Sequence, residues 1–327
     1  MFADRDFLLS LYLIDRFCEM RRFWQIAVVV ATLFSMASAT AQEAQEDRRI
    51  RLADPFILLD NGTYYAYGTH GNKGIEYYTS TNLKEWKFGG VALHKDSSYG
   101  NKWFWAPEVY LVNDLYYMFY SAEQRTCVAI SDSPAGPFEQ LDHVPLIDGY
   151  KNIDNTLFID DDGTPYMFYV RVEKPFKICV AELNKDLQSV KEECVAVCIS
   201  PNQSWERKSG RVNEGPSVFK HNGRYFMLYS GNGYKSHYYG IGLATAKSIK
   251  GPWRKSSLNP ILQLPGNLVG VGHGAPFYDK KGRMHYVFHA HYSDEKVHPR
   301  CMYITRMSVK GDKVNISNRY ITPKRIK

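Results

Sequence analysis

Much that would mark other protein classes is scarce in this chain. Its 327 residues include six cysteines, unclustered and without zinc-ligand spacing, so neither a disulfide scaffold nor a zinc module is indicated. Helical periodicity is nearly absent, which counts against an α/β barrel. The 24 Gly and 15 Pro follow no period, which excludes a collagen-like or low-complexity chain. Charge is mild: 41 basic against 34 acidic side chains leave +7, and no basic block interleaved with aromatics marks a nucleic-acid partner. With 44% hydrophobic residues the chain can bury a core, so disorder is excluded. The abundance lies in aromatics: 24 Tyr, 17 Phe and 6 Trp favour β-structure and ring-lined surfaces.

Nor does an apolar run reach the roughly 20 residues of a membrane span, so no membrane anchor is expected. The run Trp24–Met36 follows Arg21 and Arg22 and precedes Ala37-Ser38-Ala39, the form of a secretory signal peptide cleaved near Ala39. On this reading Met20 is the initiator and residues 1–39 are a spurious extension plus the signal. Residues 40–49 form a short linker, and residues 50–327 are the catalytic domain of a periplasmic or secreted monomer. The mature chain keeps Cys127, Cys179, Cys194, Cys198 and Cys301, expected as buried thiols with a single bridge left open. His285, His289 and His291 lie in an apolar, alternating segment and read as core or channel-facing residues.

One pattern recurs five times: a polar residue, an apolar run, a turn, then an aromatic run. The five begin at Asp54, Glu108, Asp154, Glu214 and His273, with turns at Asn61-Gly62, Asn113-Asp114, Asp162-Gly163, Asn222-Gly223 and Lys281-Gly282. Counted between Tyr64, Tyr116, Tyr166, Tyr225 and Tyr286, the steps are 52, 50, 59 and 61 residues. A further strand-like stretch follows each hairpin. Units of three to four strands at this period describe blades, and the expected fold is all-β, a five-bladed β-propeller. A β-sandwich leaves the recurrence unexplained.

The innermost strand of each blade lines a propeller's axis, and its start opens on one face. Asp54, Glu108, Asp154, Glu214 and His273 are therefore expected to converge on one axial funnel. Carboxyls enclosed together shift one another's pKa values apart, which suits one for acid and another for base catalysis. Trp103, Phe104 and Trp105 before Glu108, and Tyr234, Tyr238 and Tyr239 after the fourth hairpin, offer ring faces for a sugar.

The segments Ala53-Asp54-Pro55, Trp105-Ala106-Pro107-Glu108, Ile153-Asp154 with Asp160-Asp161-Asp162-Gly163, Glu214-Gly215-Pro216 and Gly272-His273-Gly274 resemble the blade motifs of glycoside hydrolase family 43. The resemblance spans about 270 residues, in the family's order and spacing. It implies an inverting glycosidase acting on plant-type poly- or oligosaccharides, of α-L-arabinofuranosidase or β-xylosidase type, with an exo-galactosidase of the same fold as the alternative. Asp54 then matches the general base, Glu214 the general acid and Asp154 the carboxylate that orients the acid and raises its pKa. Trp105, Glu108, Arg171 and His273 are the implied substrate contacts. His273 also matches a channel histidine that, in several members, meets a calcium ion or its water shell, although the chemistry requires no cofactor. In an inverting enzyme acid and base stand roughly 6.5–9.5 Å apart, with the attacking water between base and sugar.

A non-catalytic sugar-binding propeller is the rival from another class, and the presence of both Asp54 and Glu214 disfavours it. A protein-binding propeller is disfavoured because no Trp-Asp or kelch signature occurs.

Overall fold

The computed structural model describes residues 48–69 and 71–326, together with Trp24. Apart from Trp24, the signal peptide and most of the linker expected at residues 1–49 lie outside these described residues. The rest forms five sheets, each built on antiparallel strands, as the repeat predicts. Blade 1 is β1 (Ala53–Asp60), β2 (Thr63–Thr69), β3 (Gly74–Ser80) and β4 (Glu85–His94). Blade 2 has three strands, β5 (Trp105–Val112), β6 (Leu115–Ala122) and β7 (Arg125–Ser131). Blade 3 is β8 (Asn152–Ile159), β9 (Pro165–Arg171), β10 (Lys177–Leu183) and β11 (Val190–Ile199). Blade 4 is β12 (Asn213–His221), β13 (Arg224–Gly231), β14 (Gly240–Ala246) and the short β15 (Arg254–Lys255). Blade 5 is β16 (Gly272–Tyr278), β17 (Met284–Ala290), β18 (Cys301–Lys310) and β19 (Lys313–Ile321). A last strand, β20 (Lys324–Ile326), pairs in parallel with β4.

The turn residues do what their chemistry allows. Asn61 and Gly62 (φ 43° and 77°) and Asn222 and Gly223 (φ 48° and 72°) take the left-handed conformations of tight hairpins. Each blade's second strand is buried on both faces, which is why it reads as an unbroken aromatic run rather than an alternation. Along β6, Tyr116, Met118 and Tyr120 pack with blade 1, while Tyr117 and Phe119 pack with blade 3. The described core is accordingly five apolar clusters, one at each junction between neighbouring blades. One of them closes the ring, joining Ile57 and Tyr64 of blade 1 to Val287, Met302 and Ile304 of blade 5. The Met302 N–H donates to the Ile50 carbonyl (2.9 Å) at that seam. The expected cysteine burial holds for Cys127, Cys179, Cys198 and Cys301, and burial pushes the Cys127 thiol up to about 12.

Candidate active site

Every inner strand begins with a register break, between Ala53 and Phe56, Trp105 and Glu108, Ile153 and Thr156, Glu214 and Ser217, and Gly272 and Gly274. At each break one residue adopts a left-handed backbone: Asp54 (φ 49°), Ala106 (46°), Asp154 (56°), Gly215 (55°) and His273 (41°). For a residue other than glycine this conformation costs about 1–3 kcal/mol and persists only where the surroundings enforce it. The surroundings here are hydrogen bonds from the neighbouring blade. The Ala106 N–H donates to Thr69 Oγ1 (2.9 Å), Asp154 to Ser121 Oγ (2.9 Å) and His273 to Ser230 Oγ (2.8 Å). The Asp54 N–H donates to His289 Nδ1 (3.0 Å), and the Gly215 N–H to Asp154 Oδ2 (3.2 Å).

These bulges turn Asp54, Asp154 and His273 into one cavity of about 690 Å³, and Glu214, one residue before the fourth bulge, joins them in its wall. Ala53, Trp105, Ile153, Val172, Phe176 and Tyr234 make much of the remaining lining. Trp105 stacks on the half-exposed Trp103 (ring centroids 5.8 Å apart), which extends the aromatic surface toward solvent.

Two expected contacts are placed elsewhere. The residue equivalent to Asp54 in blade 2 is Ala106, not Glu108, because the bulge falls two residues earlier than the repeat suggests. Glu108 is absent from the cavity lining; it accepts a hydrogen bond from Tyr110, whose hydroxyl also meets Thr156 Oγ1 (2.9 Å). Burial pushes its carboxyl up to about 7 against those two hydroxyls. Arg171 is likewise outside the lining. Glu173 captures its guanidinium (Nε to Oε1, 2.8 Å), which lies 4.5 Å over the Tyr150 ring. The arginine of the cavity is Arg300, from the segment between β17 and β18. The sequence carries little to announce it, since the flanking His298-Pro299 belongs to none of the repeated motifs.

The three carboxyls differ sharply in environment. Burial would raise Asp54, but the Arg300 guanidinium (Nη1 2.8 Å from Oδ1, Nη2 3.3 Å from Oδ2), His273 and His289 hold it well below the usual carboxylate range. Asp154 moves the opposite way: burial, then the charges of Glu214 and Asp54, raise it well above that range, against the Gly215 N–H and Arg300. Glu214 is raised to about 7, first by burial and then by Asp54, against the Tyr239 hydroxyl that donates to Oε1 (2.7 Å). Tyr239 is itself fixed by stacking on His289, with ring centroids 5.7 Å apart. Burial lowers His273, so its imidazole is neutral near pH 7; Nδ1 lies 3.3 Å from Asp54 and 3.9 Å from Asp154. His285 and His289 are buried as expected, the first against Asp279 (3.0 Å), and His291 against the Tyr234 carbonyl (2.7 Å).

Calcium takes six to eight oxygen ligands, so an ion beside His273 would be held largely by water. The neighbouring Asp54 carboxylate is already met by a guanidinium, and among the described residues no group of three or more His, Cys, Asp or Glu could hold a metal.

An axial cavity holding one carboxyl kept ionised and two whose proton affinity is raised, on five blades, defines a carboxylate-based propeller hydrolase. The chain belongs to glycosyl hydrolases family 43, whose family profile matches residues 49–314. It is 28% identical over 270 residues to a β-D-galactofuranosidase of Aspergillus niger, covering 74% of this chain and 75% of that one. It is 26% identical to a xylosidase/arabinosidase of Humicola insolens, over 55% of this chain and 72% of the relative. Among solved structures, one titled endo-1,4-β-xylanase from Bacteroides thetaiotaomicron superposes with a TM-score of 0.83 at 45% identity, covering 85% of this chain and 98% of that one. The protein is a glycoside hydrolase.

Proposed function

We propose that it is an inverting glycosidase of α-L-arabinofuranosidase or β-xylosidase type, with Asp54 as base and Glu214 as acid. The observation that carries this reading is the split between the two carboxyls in one cavity. Asp54 is held ionised by Arg300, while Glu214 retains a proton to about pH 7. Asp54 takes a proton from the attacking water as Glu214 protonates the departing oxygen, through an oxocarbenium-like transition state. Asp154, between them in blade order, orients Glu214 and disfavours a second negative charge beside it. Trp105 and Phe176 give the sugar ring an apolar face. The relatives named for arabinose, xylose and galactofuranose support a five-carbon or furanose substrate. Export, through the signal at residues 21–39, gives the enzyme access to polysaccharide; intact mass of recovered protein beginning near Thr40 or Gln42 checks that step.

Hydrolysis of p-nitrophenyl α-L-arabinofuranoside, β-D-xylopyranoside and β-D-galactofuranoside, with the first-formed anomer read by NMR, tests the assignment. Turnover of the first or second with inversion is expected. Retention of configuration, or binding without turnover of any glycoside, overturns it.

A further inference from the structure

The hydrogen bonds that fasten the bulges follow a rule in four blades and depart from it in one. Thr69 lies opposite Ala53, Ser121 opposite Trp105, Ser230 opposite Glu214 and His289 opposite Gly272. Each is the cross-strand partner of the residue just before a bulge, and each accepts the bulge amide of the following blade. The same position in blade 3, opposite Ile153, is Val170, which has no acceptor to offer. Alternation along β9 sends Val170 toward blade 4, where it is fully buried with Met227 and Tyr229. By the rule of the other blades its counterpart is the Gly215 amide, and that amide goes instead to Asp154 Oδ2.

We infer that Val170 is a positioning residue for Asp154: by withholding the hydroxyl that other blades supply, it leaves the Gly215 N–H to hold the Asp154 carboxylate. This rests on the proposed role of Asp154 beside Glu214. The groups facing Asp154 are Glu214 on β12, Asp54 on β1, His273 on β16 and Arg300 before β18. Burial and the first two oppose its ionisation; the Gly215 N–H and Arg300 favour it. A hydrogen bond to a charged group, made in a buried place, is among the stronger ones. Gly215 also directly follows Glu214, so the same bond ties the acid's strand to its neighbour.

Val170→Ser and Val170→Ala remove similar volume and differ by one hydroxyl, the group used by Ser121 and Ser230. In the Ser variant the hydroxyl takes the Gly215 N–H and Asp154 loses its donor. Its protonated form is then favoured, and the proton it shares with Glu214 shifts toward Asp154. The Ser variant is expected to show kcat about tenfold below the Ala variant, an acidic limb moved to higher pH, and the same KM. KM is spared because Val170 does not line the cavity. Coinciding kcat and pH limbs in the two variants overturn the inference. Asp154→Asn assayed alongside separates the failures: if it alters the profile while Ser and Ala coincide, only the role of Val170 is wrong. If Asp154→Asn is itself indistinguishable from wild type, the reading of Asp154 fails. Should both small variants fail to fold, Val170→Thr keeps the valine outline and is compared with wild type in the same way.

Discussion

The Arg300 guanidinium spans both carboxylate oxygens of Asp54, at 2.8 and 3.3 Å, across 246 positions of sequence. It is the main reason a carboxyl so buried stays ionised, since burial alone would raise it. Arg300→Met removes that charge while keeping much of the stem. The pKa values of Asp54 and of Asp154, which Arg300 also holds down, should both rise, so the acidic limb of kcat/KM moves upward. Turnover at the optimum should fall by about 10²-fold as the base loses its fixed orientation. An unmoved acidic limb would place the control of Asp54 in His273 and His289 instead.

Asp54→Ala and Glu214→Ala should each lower kcat by about 10²- to 10⁴-fold, the range for a single acid–base group. The two losses differ in their response to the leaving group. Protonation by Glu214 matters little for a good phenolate, so its variant should recover much activity on a dinitrophenyl glycoside. The Asp54 variant should not, because its water lacks a base whatever departs. Equal recovery in both variants would contradict the assignment of roles.

How much of this site the sequence discloses depends on the range of the contacts involved. The five repeats, their Asn-Gly and Asp-Gly turns and the carboxyls at Asp54, Asp154 and Glu214 are local patterns, and the structure carries them all. The bulge register is not local. Trp-Ala-Pro-Glu reads as though Glu108 matches Asp54, whereas pairing with Ser121 and Phe119 sets the left-handed residue at Ala106. Arg300 is hidden for the same reason, since its partner lies in the first blade. Arg171 follows an aromatic run as expected of a substrate contact, but Glu173 two residues on holds it elsewhere.

A separate network supports the blade 3–blade 4 junction. Glu206, fully buried, accepts from Tyr229 (2.7 Å) and from the amides of Asn202 and Gln203 (2.8 Å each), and it pairs with Lys255. Burial pushes the Lys255 ammonium pKa down against the pull of Glu206. Glu206→Gln keeps the shape and strands the lysine, which should cost about 3–5 kcal/mol in denaturant unfolding. The double change Glu206→Gln, Lys255→Met should recover part of that loss, because no buried charge then lacks a partner. A Gln variant as stable as wild type would mean that Lys255 sheds its proton at little cost.

Asp154 and Glu214 are raised together in one cavity: burial raises both, and the charge of Glu214 raises Asp154 further. Such a pair loses its protons in two steps, and the second is delayed by the charge left after the first. The active form keeps one proton, on Glu214, so that second step is the basic limb of the pH–rate profile. Asp154→Asn retains an oxygen able to accept the Gly215 N–H (3.2 Å in the native pair) and removes only the charge. Glu214 should then lose its proton more easily, moving the basic limb to lower pH than in the native enzyme. Activity at neutral pH should fall and partly return as the medium is made more acidic, where Glu214 is protonated again. The Asp54 variant should show no such return, because its water lacks a base at every pH. Profiles of kcat against pH for the two variants, measured on the same aryl glycoside, check this directly. An unmoved basic limb in Asp154→Asn would make Asp154 a sugar ligand or a strand-start anchor, not the neighbour that tunes the acid.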